Sequence, residues 1–230
     1  MVTGMKKATS LLTDDEIRSI EAAIADVEKN TSAEVVPVIA SASGRYDRAE
    51  DLFGLLFSLI VLGCTWGWIQ GLAPVVDTWG ASTASRLPMA AALAVLAVSF
   101  FMGMALTSHF PVLRLPLITK REMQEEVERR ARETFQRLKI RKTEDATGVL
   151  IYVSLYEHMV HVVGDDTINA KLTREDWQTL CDTIITGFRH GKPEEGMRKG
   201  ILRCGELLAS HFPVAPDDAN ELVDTLYLID

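Results

Sequence analysis

The sequence predicts an α/β domain, with a small sheet flanked by helices, that is interrupted by a two-helix transmembrane hairpin. Two long uncharged stretches, and β-branched runs on either side of them, carry this prediction. A hydrophobic content of 47% and a mean hydropathy of +0.10 exclude a disordered chain, which needs low hydrophobicity. The formal net charge of -8 argues against a nucleic-acid partner, since such partners require a basic surface.

The two uncharged stretches are each long enough to cross a bilayer. Residues 52–76 and 87–108 contain no Asp, Glu, Lys or Arg, and a bilayer core needs roughly 20 apolar residues. Two buried helices of a soluble core are the alternative, but a core helix of this length normally keeps a polar edge. We therefore expect a hairpin over 52–108 in the lipid bilayer, with helices over 52–72 and 87–107.

Small residues in the hairpin predict close helix packing. They would let the two helices approach each other, and the hairpin is also where we expect a protein partner or a second copy to bind. The small residues are Gly63, Gly67, Gly103 and Ala105.

Positive charges predict the orientation of the hairpin. The loop between its helices has one basic residue, Arg86, whereas the flanking segments have five. These five are Arg45, Arg48, Arg114, Lys120 and Arg121. Because basic residues are retained on the cytoplasmic side, we expect a two-pass integral protein of the cell inner membrane with both termini in the cytoplasm.

The chain before the hairpin, 10–50, predicts one helix and one strand. Thr13 and Glu16 have the spacing of a capping box, and apolar residues then recur at helical spacing. Residues 34–39 are β-branched, with Pro37 indicating an edge or a bulge. One helix and one strand bury too little surface to fold alone, so we expect them to join the chain that follows the hairpin.

The segment 118–213 predicts the second part of the same domain. It begins with an amphipathic helix over 120–138, followed by an almost wholly apolar strand over 148–156 and a hairpin partner over 159–163. Two more helices begin at Thr173 and Pro193. The remaining 214–230 carries five acidic and no basic residues, and we interpret it as an acidic C-terminal tail.

Asp165 and Asp166 are the candidate metal ligands. They follow a strand and precede a helix, and carboxylates there could bind calcium or magnesium, which prefer oxygen ligands. Because calcium takes about six to eight oxygens, the alternative is a solvated turn with an acid that caps the helix.

Other candidate groups have simpler explanations. His158 falls in a turn and His161 on a strand, where packing is the expected role of the ring. Cys181 and Cys204 lie on apolar helix faces as small hydrophobes. The sequence contains no nucleotide-binding, serine-hydrolase or zinc-protease motif. Catalytic residues therefore stay unknown, and no cofactor-binding residue is predicted.

The helix after the hairpin is basic. Between Lys120 and Lys142 there are nine basic and five acidic residues. This surface could lie against anionic headgroups, or it could be an ordinary solvated helix with Glu–Arg pairs.

Three stretches, in order, resemble the TPM domain family, often labelled TPM phosphatase. They read LLTDDEIRSIEAAIADVEKNTSAEVVPVIA, TGVLIYVSLYEHMVHVVGDDTI and GFRHGKPEEGMRKGILRCGELLASHFP. More narrowly, the chain resembles a bacterial membrane-attached subgroup with a transmembrane hairpin inside the domain. The resemblance implies an α/β sandwich and a weak phosphatase activity. Some members of the family bind calcium through acidic loops, and others serve accessory roles.

The function expected from the sequence is that of a membrane-anchored accessory or interaction module. The domain is well patterned, yet it contains no catalytic motif, so we favour a non-enzymatic role at the cytoplasmic membrane face. The alternative is a weak divalent-metal-dependent phosphatase that uses Asp165 and Asp166. A transporter or channel is disfavoured because the hairpin contains no intramembrane charge.

Overall fold

The computed structural model describes residues 7–72, 87–142, 147–214 and 222–230. The chain divides into two compact units. One comprises residues 45–119, and the other combines 6–44 with 120–230. The second unit is the α/β domain, so the predicted mixed fold, interrupted by two apolar helices, is confirmed.

The α/β domain has a four-stranded sheet in the order β3-β2-β1-β4. β1 runs parallel to β2 and β4, whereas β2 and β3 form an antiparallel hairpin. The strands are β1 (Val35–Ala40), β2 (Val149–Ser154), β3 (Met159–Gly164) and β4 (Tyr227–Ile229). The helices are α1 (Asp14–Glu28), α4 (Lys120–Arg137), α5 (Asp166–Asn169), α6 (Arg174–Arg189) and α7 (Pro193–Ala209).

Apolar side chains pack on both faces of the sheet. One face of β1, including Val35 and Ile39, packs in a core shared with α1, α6 and α7. The other face, including Val38, packs in a core with α4. Every residue of β2 is buried, as a continuous apolar run predicts for a central strand.

Capping residues set the helix ends as the sequence predicted. Thr13 accepts a hydrogen bond from the Glu16 N–H, and the Glu16 carboxylate accepts one from the Thr13 N–H at 2.8 Å. A second capping box joins Thr173 and Asp176 at the start of α6. Each box satisfies N–H groups that the first helical turn leaves without a partner.

The segment 214–230, set apart as an acidic tail, contributes the edge strand β4. Tyr227 lies opposite Val38 of β1. The strand was not predicted because its β-favouring run, Tyr-Leu-Ile, is short and follows an acid-rich stretch. β4 covers β1 only from Val38 onward, so Pro37 has a strand neighbour on one side alone. A proline without a ladder partner on that side is tolerated because it has no N–H to donate.

Asp230 fastens β4 to the N-terminal segment. Its carboxylate accepts hydrogen bonds from Thr9 Oγ1 at 2.6 Å and Ser41 Oγ at 2.7 Å. These two bonds, with a smaller contribution from the charge of Lys7, lower the pKa of Asp230 to about 2. The carboxylate is therefore ionised at neutral pH and holds two segments that are far apart in sequence.

The other unit contains two long apolar helices, α2 (Asp47–Leu72) and α3 (Met89–His109). Both are long and apolar enough to cross a membrane. They approach each other closely at Gly103, where an added Cβ would lie 2.9 Å from Gly54 Cα. Cβ atoms on Gly63 and Gly67 would meet nothing within 4 Å. Gly54, rather than these two predicted residues, therefore supplies the contact on α2. The predicted loop with Arg86 lies outside the described residues.

Candidate functional site

Asp165 and Asp166 lie where the sequence placed them, directly after β3, with Asp166 as the first residue of α5. Asp165 caps α5, since its Oδ1 accepts a hydrogen bond from the Asp166 N–H at 2.8 Å. The Asp165 N–H in turn donates to the carbonyl oxygen of Gly148 at 3.0 Å. The Asp165 side chain is 2% exposed, whereas that of Asp166 is 84% exposed. Only the first carboxylate is therefore part of the packed domain.

Arg141 lies beside both carboxylates. Its Nη2 donates to Asp166 Oδ2 at 2.8 Å, and its Nε lies 3.8 Å from Asp165 Oδ1. The Oδ2 atom of Asp165 is buried and has no hydrogen-bond partner among the described residues. One lone pair of this buried carboxylate is therefore available to a cation or a water molecule.

The residues around Asp165 fit magnesium better than calcium. In the described parts of the chain, no three His, Cys, Asp or Glu side chains converge as metal ligands. Calcium needs about six to eight oxygens, whereas magnesium keeps several waters and is held by one or two carboxylates. Asp165, with or without Asp166, could hold a hydrated magnesium ion, in competition with the guanidinium of Arg141.

A buried polar cluster surrounds Glu157, in the turn between β2 and β3. Its carboxylate accepts hydrogen bonds from the N–H groups of Ser43, at 3.0 Å, and Gly44, at 3.1 Å. Ser154 Oγ donates to the same carboxylate, and Ser43 Oγ donates to Ser154 Oγ at 2.8 Å. No sequence pattern predicts this cluster, because Ser43 and Gly44 are distant along the chain from Ser154 and Glu157.

The hydrogen bonds of this cluster indicate a positioning role. Nucleophilic activation of Ser43 would need a base that is free to take its proton, but Glu157 already accepts two backbone N–H groups and a hydroxyl. Tyr152 lies in the same cluster, and burial raises the pKa of its phenol despite a hydrogen bond with Ser43. The cluster therefore ties the β2–β3 turn to the end of β1.

A second, partly buried acidic cluster lies between α1 and the chain that leads into β4. Glu28 interacts with Asp224 through a side-chain hydrogen bond and lies near Glu34, which is 7% exposed. Burial, followed by the bond to Asp224 and the negative charge of Glu34, raises the pKa of Glu28 to about 9. Glu28 is therefore protonated at neutral pH and donates to Asp224.

Glu28→Gln is expected to stabilise the domain above about pH 5. The native carboxyl keeps its proton up to about pH 9, whereas the unfolded carboxyl loses it near pH 4.3. The contribution of Glu28 to the free energy of unfolding is therefore fully present below the pKa of this carboxyl in the unfolded chain. It is lost as the pH rises through the pKa of the same carboxyl in the folded domain. Gln keeps a donor for Asp224 and does not ionise. We expect a gain of about 1–2 kcal/mol at pH 8, after discounting for solvent screening.

Urea unfolding of the full chain in detergent, measured between pH 5 and pH 9, checks this expectation. Asp26→Asn is the matched control, because Asp26 is exposed on the same helix. The control should follow the wild-type pH profile. A Glu28→Gln profile parallel to that of the wild type would contradict the protonated state of Glu28.

The histidine and cysteine candidates lie in structural positions. His158 adopts a left-handed φ of 54° in the β2–β3 turn. His161 lies on β3 opposite Tyr152, and burial lowers the pKa of its ring. Burial raises the pKa of Cys181 to about 11 and that of Cys204 to about 12. Both thiols are therefore protonated and inert at neutral pH.

The basic helix α4 has extensive Glu–Arg pairing on its surface. Arg121 pairs with Glu125 at 2.8 Å, and Arg129 pairs with Glu133 at 2.6 Å. Arg132 also pairs with Glu128. These pairs favour the solvated-helix interpretation over contact with lipid headgroups, because paired guanidinium groups have less net charge to offer.

A shallow groove of about 660 Å³ lies between α6 and α7. Charges of both signs line it, and Glu195 interacts with Lys192 and Lys199 at 3.0 and 2.7 Å. Hydrogen bonds from Lys199 and Lys192 lower the pKa of Glu195 to about 2. The described lining residues are Thr179, Asp182, Thr183, Thr186, Gly187, His190, Lys192, Glu195, Gly196 and Lys199. Because opposite charges balance, the groove shows no preference for an anion or a cation.

Comparison with known proteins agrees with this mixed α/β architecture. A family model for the TPM domain matches residues 114–207. The NMR structure of BA42 from the psychrophilic bacterium Bizionia argentinensis has a similar fold, with a TM-score of 0.55 and 23% identity over 94% of each chain. None of the curated proteins compared matches the chain. The resemblance to the TPM domain family is therefore confirmed, and residues 114–207 are the part of the chain that matches this domain.

Proposed function

We propose that this protein anchors a TPM domain in a membrane, where the domain acts as a non-catalytic accessory or interaction module. The observation that carries the proposal is the apolar surface of α2 and α3. Ile60 on α2 is 64% exposed, and Val98 on α3 is 68% exposed. Large apolar surfaces of this kind need a partner that removes them from water, and two helices of this length match a bilayer.

The position of the hairpin in the sequence supports tethering. α2 and α3 lie between β1 and α4, so both ends of the hairpin lead into the same domain. If the loop after α2 crosses to the outside, the domain and both termini stay in the cytoplasm. The excess of basic residues on the domain side of the hairpin favours this orientation, in the inner membrane of the cell.

Reporter fusions test the proposed orientation. A reporter that is active only outside the cytoplasm should be active after Asp77, in the loop, and inactive at the C-terminus. A reporter that is active only in the cytoplasm should give the opposite pattern. An active external reporter at the C-terminus would contradict the cytoplasmic assignment.

The groups that could perform catalysis have other roles, which supports an accessory function. Glu157 binds backbone N–H groups, Asp165 caps a helix beside Arg141, and Cys204 is a buried thiol. Interaction with a protein partner, or with a second copy through the hairpin, is the remaining role.

Two differently tagged copies, coexpressed and extracted in detergent, should copurify if the hairpin pairs with itself. Separate elution of the two tags would leave a different protein as the partner.

The second candidate function is a weak magnesium-dependent phosphatase, favoured by the buried free oxygen of Asp165. Such an ion would hold a phosphate oxygen and polarise the phosphorus centre. In that reaction, Asp165 would bind the ion and position it.

Purified full chain in detergent distinguishes the two functions. With magnesium, we expect it to hydrolyse a phosphate monoester no faster than its Asp165→Ala variant. Asp176→Asn is the control for a helix-capping carboxylate away from this site. Metal-dependent turnover that Asp165→Ala abolishes and Asp176→Asn retains would contradict the non-catalytic proposal and establish the phosphatase.

A further inference from the structure

Arg114 joins the two ends of the hairpin where the chain enters and leaves it. Its Nη1 lies 2.8 Å from Oε1 of Glu50 in the first turn of α2. Its Nε and Nη2 each donate to the carbonyl oxygen of Thr107, near the end of α3, at 3.2 Å. The side chains of Arg114 and Glu50 are only 13% and 20% exposed. The guanidinium thus satisfies a terminal helix carbonyl and is itself neutralised.

The segment between α3 and Arg114 exposes apolar side chains. Phe110 is 54% exposed and Val112 is 64% exposed. They lie at the start of a short 3-10 helix, Pro111–Leu117, in which Arg114 is the only charged residue. The exposed apolar surface of the hairpin therefore continues past the end of α3 into a segment that is no longer α-helical.

The length of α3 locates the boundary of the bilayer. Its 21 residues rise about 32 Å at about 1.5 Å per residue, which matches a hydrocarbon core about 30 Å thick. When Met89 lies at one boundary, Thr107 and the guanidinium bound to it lie at the other. The charged first turn of α2, with Glu50, lies at that same level because Arg114 bridges the two helices.

We propose that residues 110–113 lie in the interfacial layer of the bilayer, with Phe110 and Val112 inserted among the lipids at the level of the Glu50–Arg114 pair. This inference rests on the proposed membrane anchoring. It adds the depth in the bilayer at which the membrane-inserted part of the chain ends. Aromatic and aliphatic side chains favour this layer because it accepts apolar groups beside polar ones. Since Glu50 neutralises Arg114, the insertion does not require anionic lipid.

Spin labels on the full chain in phosphatidylcholine vesicles test this depth. The label is placed at Val112→Cys in a Cys64→Ser background, because Cys181 and Cys204 are buried thiols that resist labelling. Leu59→Cys, on the exposed surface of α2, is the reference for hydrocarbon, and Thr179→Cys, exposed on α6, is the reference for water. Collision of each label with oxygen and with a water-soluble nickel chelate gives its depth.

The label at Val112 should show an oxygen-to-nickel accessibility ratio several-fold above that at Thr179 and below that at Leu59. The ratio should not change in an equal mixture of phosphatidylcholine and phosphatidylglycerol. A Val112 ratio equal to that of Thr179, with Leu59 in hydrocarbon, would overturn the interfacial placement and leave the anchor intact. A Leu59 label in water would instead overturn the membrane anchoring itself. Insertion of Val112 only with phosphatidylglycerol would show electrostatic attachment and overturn the apolar insertion proposed here.

Discussion

Gly187→Val is expected to destabilise the α/β domain by about 3 kcal/mol or more, at the upper end of overpacking effects. A Cβ at Gly187 would lie 2.3 Å from Gly196 Cα and 2.8 Å from Gly196 N. Both atoms belong to the backbone of α7, so no flexible side chain can move aside. The only relief is to separate α6 from α7, which would open the core that both helices share with α1 and the sheet.

Urea unfolding of the full chain in detergent, followed by pulse proteolysis, measures this loss. Thr186→Val is the matched control, because Thr186 is exposed one position earlier on α6. We expect the control to change the free energy of unfolding by less than about 0.5 kcal/mol. Equal stability of Gly187→Val and Thr186→Val would show that the two helices do not cross as closely as described.

Arginine at Leu59 and Val98 together is expected to abolish membrane insertion of the hairpin. Both side chains are exposed near the middle of their helices. An arginine at the centre of a transmembrane helix costs about 2.5–3.5 kcal/mol on insertion scales, so the double variant should lose about 5–7 kcal/mol. In a soluble protein, the same exposed positions would accept arginine at almost no cost.

The matched control replaces the same two residues with alanine. Leu59→Ala with Val98→Ala removes similar apolar contacts without adding charge, and it should insert as the wild type does. Glycosylation-site tags in the loop, read in a microsomal translation system, measure the inserted fraction. Equal insertion of the double arginine variant and the wild type would contradict the expected cost of these charges. A wild-type loop that is not glycosylated would argue against a bilayer around α2 and α3.

The local elements of the fold could be predicted because their signals are short-range. The capping box at Thr13 and the apolar run of β2 depend on residues close in sequence. β4 was not predicted, because a run of three β-favouring residues is a weak signal in a segment that contains five acidic residues. Its pairing with β1 depends on contacts across the domain, such as those between Asp230 and Ser41.

The candidate site was predictable in position but not in chemistry. Asp165 and Asp166 were found at the end of β3, but the nearness of Arg141 comes from tertiary packing. The bond between Glu28 and Asp224 joins the end of α1 to the chain before β4. No spacing rule connects such residues, because they are brought together by the packing of elements that are distant in sequence.

Extraction of membranes with alkaline carbonate tests the membrane anchor most directly. This treatment releases soluble and peripheral proteins, whereas a protein with spanning helices stays in the membrane pellet. We expect the full chain to stay in the pellet and the double arginine variant at Leu59 and Val98 to be released. Release of the wild-type chain into the supernatant would contradict the central claim that α2 and α3 anchor the α/β domain in a bilayer.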